Sequence, residues 1–132
     1  MAAGRVLVVE DDDSLRRVTQ LHLEKLGFST TATANAEEAL RIMGESPYDV
    51  LLTDLHLPGM SGIDLLKRVK MEHPETIVIV ITAFATVASA VEAMKSGAYD
   101  YITKPLHHHE LNELLRRASW PKAIPRLTCA LS

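Results

Sequence analysis

The stretch that most constrains the fold is Asp49-Val50-Leu51-Leu52-Thr53-Asp54-Leu55-His56-Leu57-Pro58-Gly59-Met60. An apolar run of strand length ends in a single carboxylate, Asp54, and a Pro-Gly turn signal then stops it. The spacing therefore places Asp54 at the mouth of a buried strand, where open α/β sheets keep their chemistry.

Three further runs have the same form. Arg5 to Val9 leads straight into Glu10-Asp11-Asp12-Asp13, Ile77 to Ile81 ends at Thr82, and Ala98 to Thr103 leads into Lys104-Pro105. Helix-like segments separate them. Leu15, Val18, Leu21, Leu23 and Leu26 form a stripe that Asp12 or Asp13 caps and Gly27 stops. Phe28 to Thr33 reads as the weakest strand, and Asn35 caps a helix through Ala36, Ala39, Leu40 and Met43 to about Gly44. A third helix, from about Ser61 to Glu72, carries Ile63, Leu65, Leu66, Val69 and Met71. Five strand-helix alternations predict an α/β domain with a mostly parallel sheet.

The fourth helix, about Ala85 to Ser96, is set apart by Val87, Ala88, Ala90, Val91, Ala93 and Met94, which leave it a narrow polar face. Such a helix either packs deeply or offers a partner surface. The last is expected over Leu106 to Ser119, with Leu111, Leu114 and Leu115 inward, and Trp120 as a packing residue at its end. One domain over residues 1–119 follows, with 120–132 as a linker start or an appended tail.

At 132 residues the chain has room for one core that removes roughly two-thirds of the unfolded surface from water. A net charge of −3 argues against a nucleic-acid footprint in this domain. The only cysteine is Cys129, so no internal disulfide forms. The opening residues lack the pattern of a signal peptide, and no apolar run reaches a membrane span of about 20 residues. A cytoplasmic protein is expected.

Glu10, Asp11 and Asp54 offer oxygen ligands suited to Mg²⁺ rather than zinc. Asp12 and Asp13 are better explained as helix-capping acids. A carboxylate can attack phosphorus and form an aspartyl phosphate, a reaction that needs charge neutralisation and positioning. Lys104 and a cation would supply the first, and the Thr82 hydroxyl with backbone N–H groups the second. Pro105 restricts Lys104 and makes Lys104-Pro105 a candidate cis bond. His107-His108-His109 reads as a solvated helix start, since successive helical residues diverge too far to share one ion.

These motifs resemble the receiver domain of a two-component response regulator. The resemblance covers about Arg5 to Ser119. It rests on Val8-Val9-Glu10-Asp11-Asp12, on Thr53-Asp54 through Pro58-Gly59-Met60-Ser61-Gly62, on Ile81-Thr82-Ala83, and on Ala98 through Lys104-Pro105. It implies a flavodoxin-like (βα)5 fold with strand order 2-1-3-4-5 and helices on both faces. It also implies that Asp54 accepts phosphoryl from a phosphohistidine of a sensor histidine kinase or phosphotransfer protein, with Mg²⁺ or Mn²⁺. Asp11 would bind the metal, Glu10 would assist through water, and His56 would give its backbone carbonyl. Lys104 would clasp the phosphate, while Thr82 and Tyr101 would switch. The activity would be self-phosphorylation and slow autodephosphorylation only. Glu10 departs from the family's frequent Asp.

Ala83 to Val87 and Val91 to Ala98 resemble receivers of nitrogen-regulator-like activators that carry an ATPase module and a DNA-binding domain. In that family the fourth helix, fifth strand and last helix form the output and homodimerisation face. Two other phosphate-handling families fit less well. A haloacid-dehalogenase-like phosphatase needs an acid where His56 stands, and a flavin mononucleotide carrier would be repelled by Glu10 to Asp13. A degenerate receiver is made unnecessary by the intact Asp11, Asp54, Thr82 and Lys104.

Overall fold

The computed structural model describes residues 4–105 and 107–123. Strands β1 (Arg5–Val9), β2 (Ser29–Thr33), β3 (Val50–Asp54), β4 (Ile77–Thr82) and β5 (Asp100–Thr103) alternate with helices α1 (Asp13–Lys25), α2 (Ala36–Glu45), α3 (Gly62–Glu72), α4 (Val87–Lys95) and α5 (His108–Ala123). All pairings are parallel and the order is β2-β1-β3-β4-β5. The predicted fold class is the observed one.

Strand alternation divides the core in two. Leu7, Val9, Leu51, Val78 and Val80 pack with Ala36, Ala39 and Met43 of α2, Leu65, Leu66 and Val69 of α3, and Ala93 of α4. Val6, Val8, Val50, Leu52, Ile79 and Ile81 face the other way, onto Leu23 of α1 and Leu111, Leu114 and Leu115 of α5. A strand buried on both faces shows no polar alternation, which is why β3 reads as a continuous apolar run.

Local chemistry sets the helix ends. The Asp12 carboxylate accepts the Leu15 amide at 2.9 Å, Asn35 accepts Glu38 N–H at 2.8 Å and Ser61 accepts Asp64 N–H at 3.1 Å. At the C-terminus of α1, Gly27 has φ +98°. The Phe28 amide donates to the Leu23 carbonyl and the Gly27 amide to the Glu24 carbonyl, the bonding of a Schellman motif.

Three sequence expectations need correction. The α1 stripe is not the buried face: only Leu23 is buried, while Val18 and Leu21 are about half exposed. The face turned inward instead carries Arg16, Thr19 and Gln20, whose polar ends reach nearby oxygens or the rim. Met71, counted with the apolar residues of α3, is 78% exposed because it lies two residues, about 200° of helical turn, from the buried Val69. Finally, α5 begins at His108 and runs to Ala123, four residues past Ser119, so the start of the assigned tail is helical. Leu106, the Trp120 side chain and residues 124–132, with Cys129, lie outside the described residues.

Candidate functional site

The alternation that divides the core also gathers the acids. In β1 and β3 the even-numbered residues face α1 and α5, and continuing that parity to the strand ends reaches Glu10 and Asp54. The strands are neighbours, with Val9 opposite Thr53, so the two carboxylates leave the sheet side by side. Both are buried, at 6% and 8% exposure. Asp11 is exposed, yet it, Glu10 and Asp54 each bring a carboxylate oxygen within 4.8 Å of the others.

Lys104 completes the crevice from the sheet edge. Its amide donates to the Thr82 carbonyl at 2.8 Å, its bond to Pro105 is cis, and its side chain spans the end of β4. The ammonium Nζ donates to Glu10 Oε1 at 2.6 Å and to Asp54 Oδ2 at 2.7 Å. The other Asp54 oxygen, Oδ1, accepts the backbone amide of His56 at 3.1 Å. A cavity of about 440 Å³ opens here, with Leu15, Leu52, Ile81 and Pro105 among its apolar walls.

The electrostatics follow from this arrangement. Burial pushes the Glu10 carboxyl above the ordinary 4.5, against the Lys104 hydrogen bond, which lowers it. Burial pulls the Lys104 ammonium down, but the hydrogen bonds to Asp54 and Glu10 outweigh it and leave the group above 10.5. The two shifts are compatible because one ammonium is shared between two buried acids and satisfies neither fully. Lys104 therefore stays protonated, one cation set among three carboxyl groups.

The backbone beneath Asp54 is tightly packed. A Cβ placed on Gly62 would meet the Asp54 carbonyl oxygen at 2.2 Å, so α3 starts where only glycine fits. The Gly62 amide donates to the Leu55 carbonyl at 2.9 Å, and the Thr53 hydroxyl to the Asp54 carbonyl at 2.9 Å.

The remaining candidates divide. Thr82 is fully buried one residue beyond Ile81, the partner of Asp54 in the sheet, and its hydroxyl accepts the Phe84 amide at 3.1 Å. Tyr101 stands away from the crevice on the α4 side, where its hydroxyl is 2.5 Å from Ser89 Oγ. The exposed His56 side chain meets the Phe84 ring edge-on at 5.6 Å. Asp12 caps α1 and Asp13 pairs with Arg16. His107 and His109 are exposed with stacked rings at 6.2 Å, and the side chain of His108 lies outside the described residues.

Two contributors were not foreseen. Arg16 donates to the Glu10 carbonyl at 2.9 Å and steadies the acidic loop; its place three residues after Asp13 was the available signal. Ser89 closes a capping box with Thr86 at the start of α4 and meets Tyr101 there. The Thr-x-x-Ser spacing was readable, but its usual partner is Glu or Gln. Among the described residues, no helix is long and apolar enough to cross a membrane.

Comparison with known proteins gives the same picture. Residues 6–116 match the family described as the response regulator receiver domain. The DNA-binding transcriptional regulator NtrC of Escherichia coli is 41% identical over 118 residues, covering 89% of this chain and 25% of NtrC. A response regulator receiver domain from Clostridium thermocellum superposes with a TM-score of 0.86 at 30% identity, covering 94% of this chain and 98% of that one. The beryllofluoride-activated NtrC4 receiver domain dimer gives 0.82 at 31% identity, covering 86% and 94%. The chain spans between a quarter and a half of the length of the first curated relatives it matches. The family match spans residues 6–116, most of the chain, and leaves a single assignment: this chain belongs to the receiver domains of two-component response regulators, and within them it is similar to NtrC.

Proposed function

We propose that Asp54 accepts a phosphoryl group from a phosphohistidine and that the resulting change in charge is read out on the α4-β5-α5 face. The observation that carries this is the placement of the Asp54 carboxylate, buried between the Lys104 ammonium and the His56 amide with two further acids beside it. A carboxylate oxygen attacks phosphorus, the O–P bond forms as the P–N bond of the donor breaks, and the imidazole leaves with the electron pair. Lys104 is already protonated where the phosphoryl oxygens arrive, so it neutralises charge without a proton transfer.

The donor set fits Mg²⁺ or Mn²⁺: three carboxylates converge, and among the described residues no cysteine or imidazole nitrogen joins them. Asp11 and Asp54 would hold the ion directly, with the His56 carbonyl, and Glu10 through water. When bound, such an ion neutralises phosphoryl charge and offsets the repulsion among the acids. The chain would catalyse its own phosphorylation and slow dephosphorylation and no other reaction.

Thr82 and Tyr101 are the switch residues in this reading. The Thr82 hydroxyl turns from the Phe84 amide toward a phosphoryl oxygen, and Tyr101 leaves Ser89 as it moves inward. That shift biases a pre-existing equilibrium of α4. The partners are a cognate sensor histidine kinase or phosphotransfer protein, and a second copy that docks on the same face once phosphorylated. The output is control of transcription by an ATPase and DNA-binding portion elsewhere in a longer cytoplasmic protein. This domain itself contacts neither DNA nor membrane.

Intact mass after incubation with acetyl phosphate and Mg²⁺ tests the proposal. Wild type gains one phosphoryl group, while Asp54→Ala and a chelator-treated sample gain none. Uptake by Asp54→Ala equal to wild type would overturn the assignment.

A further inference from the structure

The loop from Leu55 to Ser61 carries His56 to the site, and both of its ends are fixed. At one end the Gly62 amide meets the Leu55 carbonyl, and at the other Ser61 caps α3. Between them, besides Asp54 on the His56 amide, one described side chain from another element holds the backbone. Glu37, in the first turn of α2, accepts the Met60 amide through Oε2 at 3.1 Å. The fit is close: Gly59 has φ +75°, and a Cβ there would lie 2.9 Å from the same Glu37 oxygen. Leu57 and Met60, on either side of this turn, pack against the core.

Glu37 and Glu38 share the first turn of α2 but do different things. Glu38 serves its own helix, with its amide held by Asn35 and its carboxylate paired with Arg41. Glu37 reaches out of the helix to the loop that follows Asp54. We infer that Glu37 is a positioning residue for the phosphoryl-transfer site: by holding Met60 it fixes the turn, and through it the His56 amide on Asp54 Oδ1 and the direction of the His56 carbonyl. The inference rests on the reading of Asp54 given above. A tie of this kind matters because small displacements at a reacting centre are costly in rate.

Amide hydrogen exchange of the metal-free full chain tests it, alongside the initial rate of phosphoryl uptake from acetyl phosphate with Mg²⁺. In Glu37→Ala the amides of Met60 and His56 exchange about three- to tenfold faster, the range one net hydrogen bond supports, while Val80 in the core is unchanged. The rate of uptake falls by a similar factor. Glu37→Gln keeps an oxygen acceptor and restores both. Wild-type exchange at His56 in Glu37→Ala overturns the inference, and so does acceleration that extends equally to Val80, which would make Glu37 a residue of general stability. A wild type that takes up no phosphoryl group would instead overturn the reading of Asp54, with the exchange rates still deciding the tether.

Discussion

The crevice at the ends of β1, β3 and β5 and the outer face of α4 are opposite kinds of incomplete surface. In the crevice, acids outnumber cations: the buried Glu10 and Asp54 share one ammonium, and the exposed Asp11 adds a third acid. On α4, apolar surface is in excess. Only Ala93 is buried, whereas Val87, Val91 and Met94 are 82%, 46% and 48% exposed, with Phe84 and Tyr99 beside them. A cation would offset the first, and a packing partner would cover the second.

The two regions also differ in what holds them. The crevice rests on the tightest backbone contact among the glycines, Gly62 against Asp54, and on strands buried on both faces. The α4 helix rests on its own ends. Thr86 and Ser89 form its capping box, and the Tyr101 hydroxyl joins them. An element stabilised by caps rather than by burial can shift without disturbing the core. In the proposed reading, chemistry sits where buried strands hold the backbone and response where end caps hold a helix.

The largest effect that would break this contrast is at Lys104. Lys104→Met is expected to lower the rate of phosphoryl uptake by about a hundredfold or more, the scale of losing one preorganised charge at a transition state. Mass-resolved time courses measure it, and a loss below about threefold would remove Lys104 from the chemistry. Next comes the backbone under the site. Gly62→Ala is expected to cost about 2 kcal/mol in urea unfolding, since the Asp54 carbonyl cannot move aside as a flexible side chain could.

A smaller effect sharpens the α4 side. Val91→Ser and Met94→Ser are expected to change monomer stability by less than about 0.5 kcal/mol, as exposed positions do. They should nevertheless weaken association of the phosphorylated chain, read by sedentimentation-free methods such as light scattering.

The smallest expected effect is in the pH dependence of metal-free stability. The folded protein raises the Glu10 carboxyl above 4.5, so it favours the protonated form relative to the unfolded chain. Its contribution is complete below 4.5 and declines as pH rises through the folded value. Glu10→Gln should flatten that decline, and only modestly, because burial and the Lys104 bond oppose each other. Lys104 has the same sign at the alkaline end: its contribution is complete below 10.5 and is lost above it.

Much of this architecture was legible in the chain. The apolar runs, Asn35 and Ser61 as caps, Gly27 as a stop and the acids at strand ends all express local propensity or period, and each appears where expected. The α1 stripe did not, because periodicity identifies an apolar face without saying which face the sheet will cover. The α4 alternatives were likewise open: the same residues suit a deeply packed helix or an exposed one, and packing alone exposed them.

Sequence by itself determined the fold class and which side chains could do chemistry, because strand and helix periods, caps and charged strand ends are properties of neighbouring residues. Tertiary structure decided how those side chains meet. Glu10 and Asp54 lie far apart in the chain yet share the Lys104 ammonium, since parallel pairing brings three strand ends to one edge. The tie from Glu37 to Met60 and the contact of Ser89 with Tyr101 have the same origin. Such contacts depend on register and on the approach of one element to another, which no local pattern encodes.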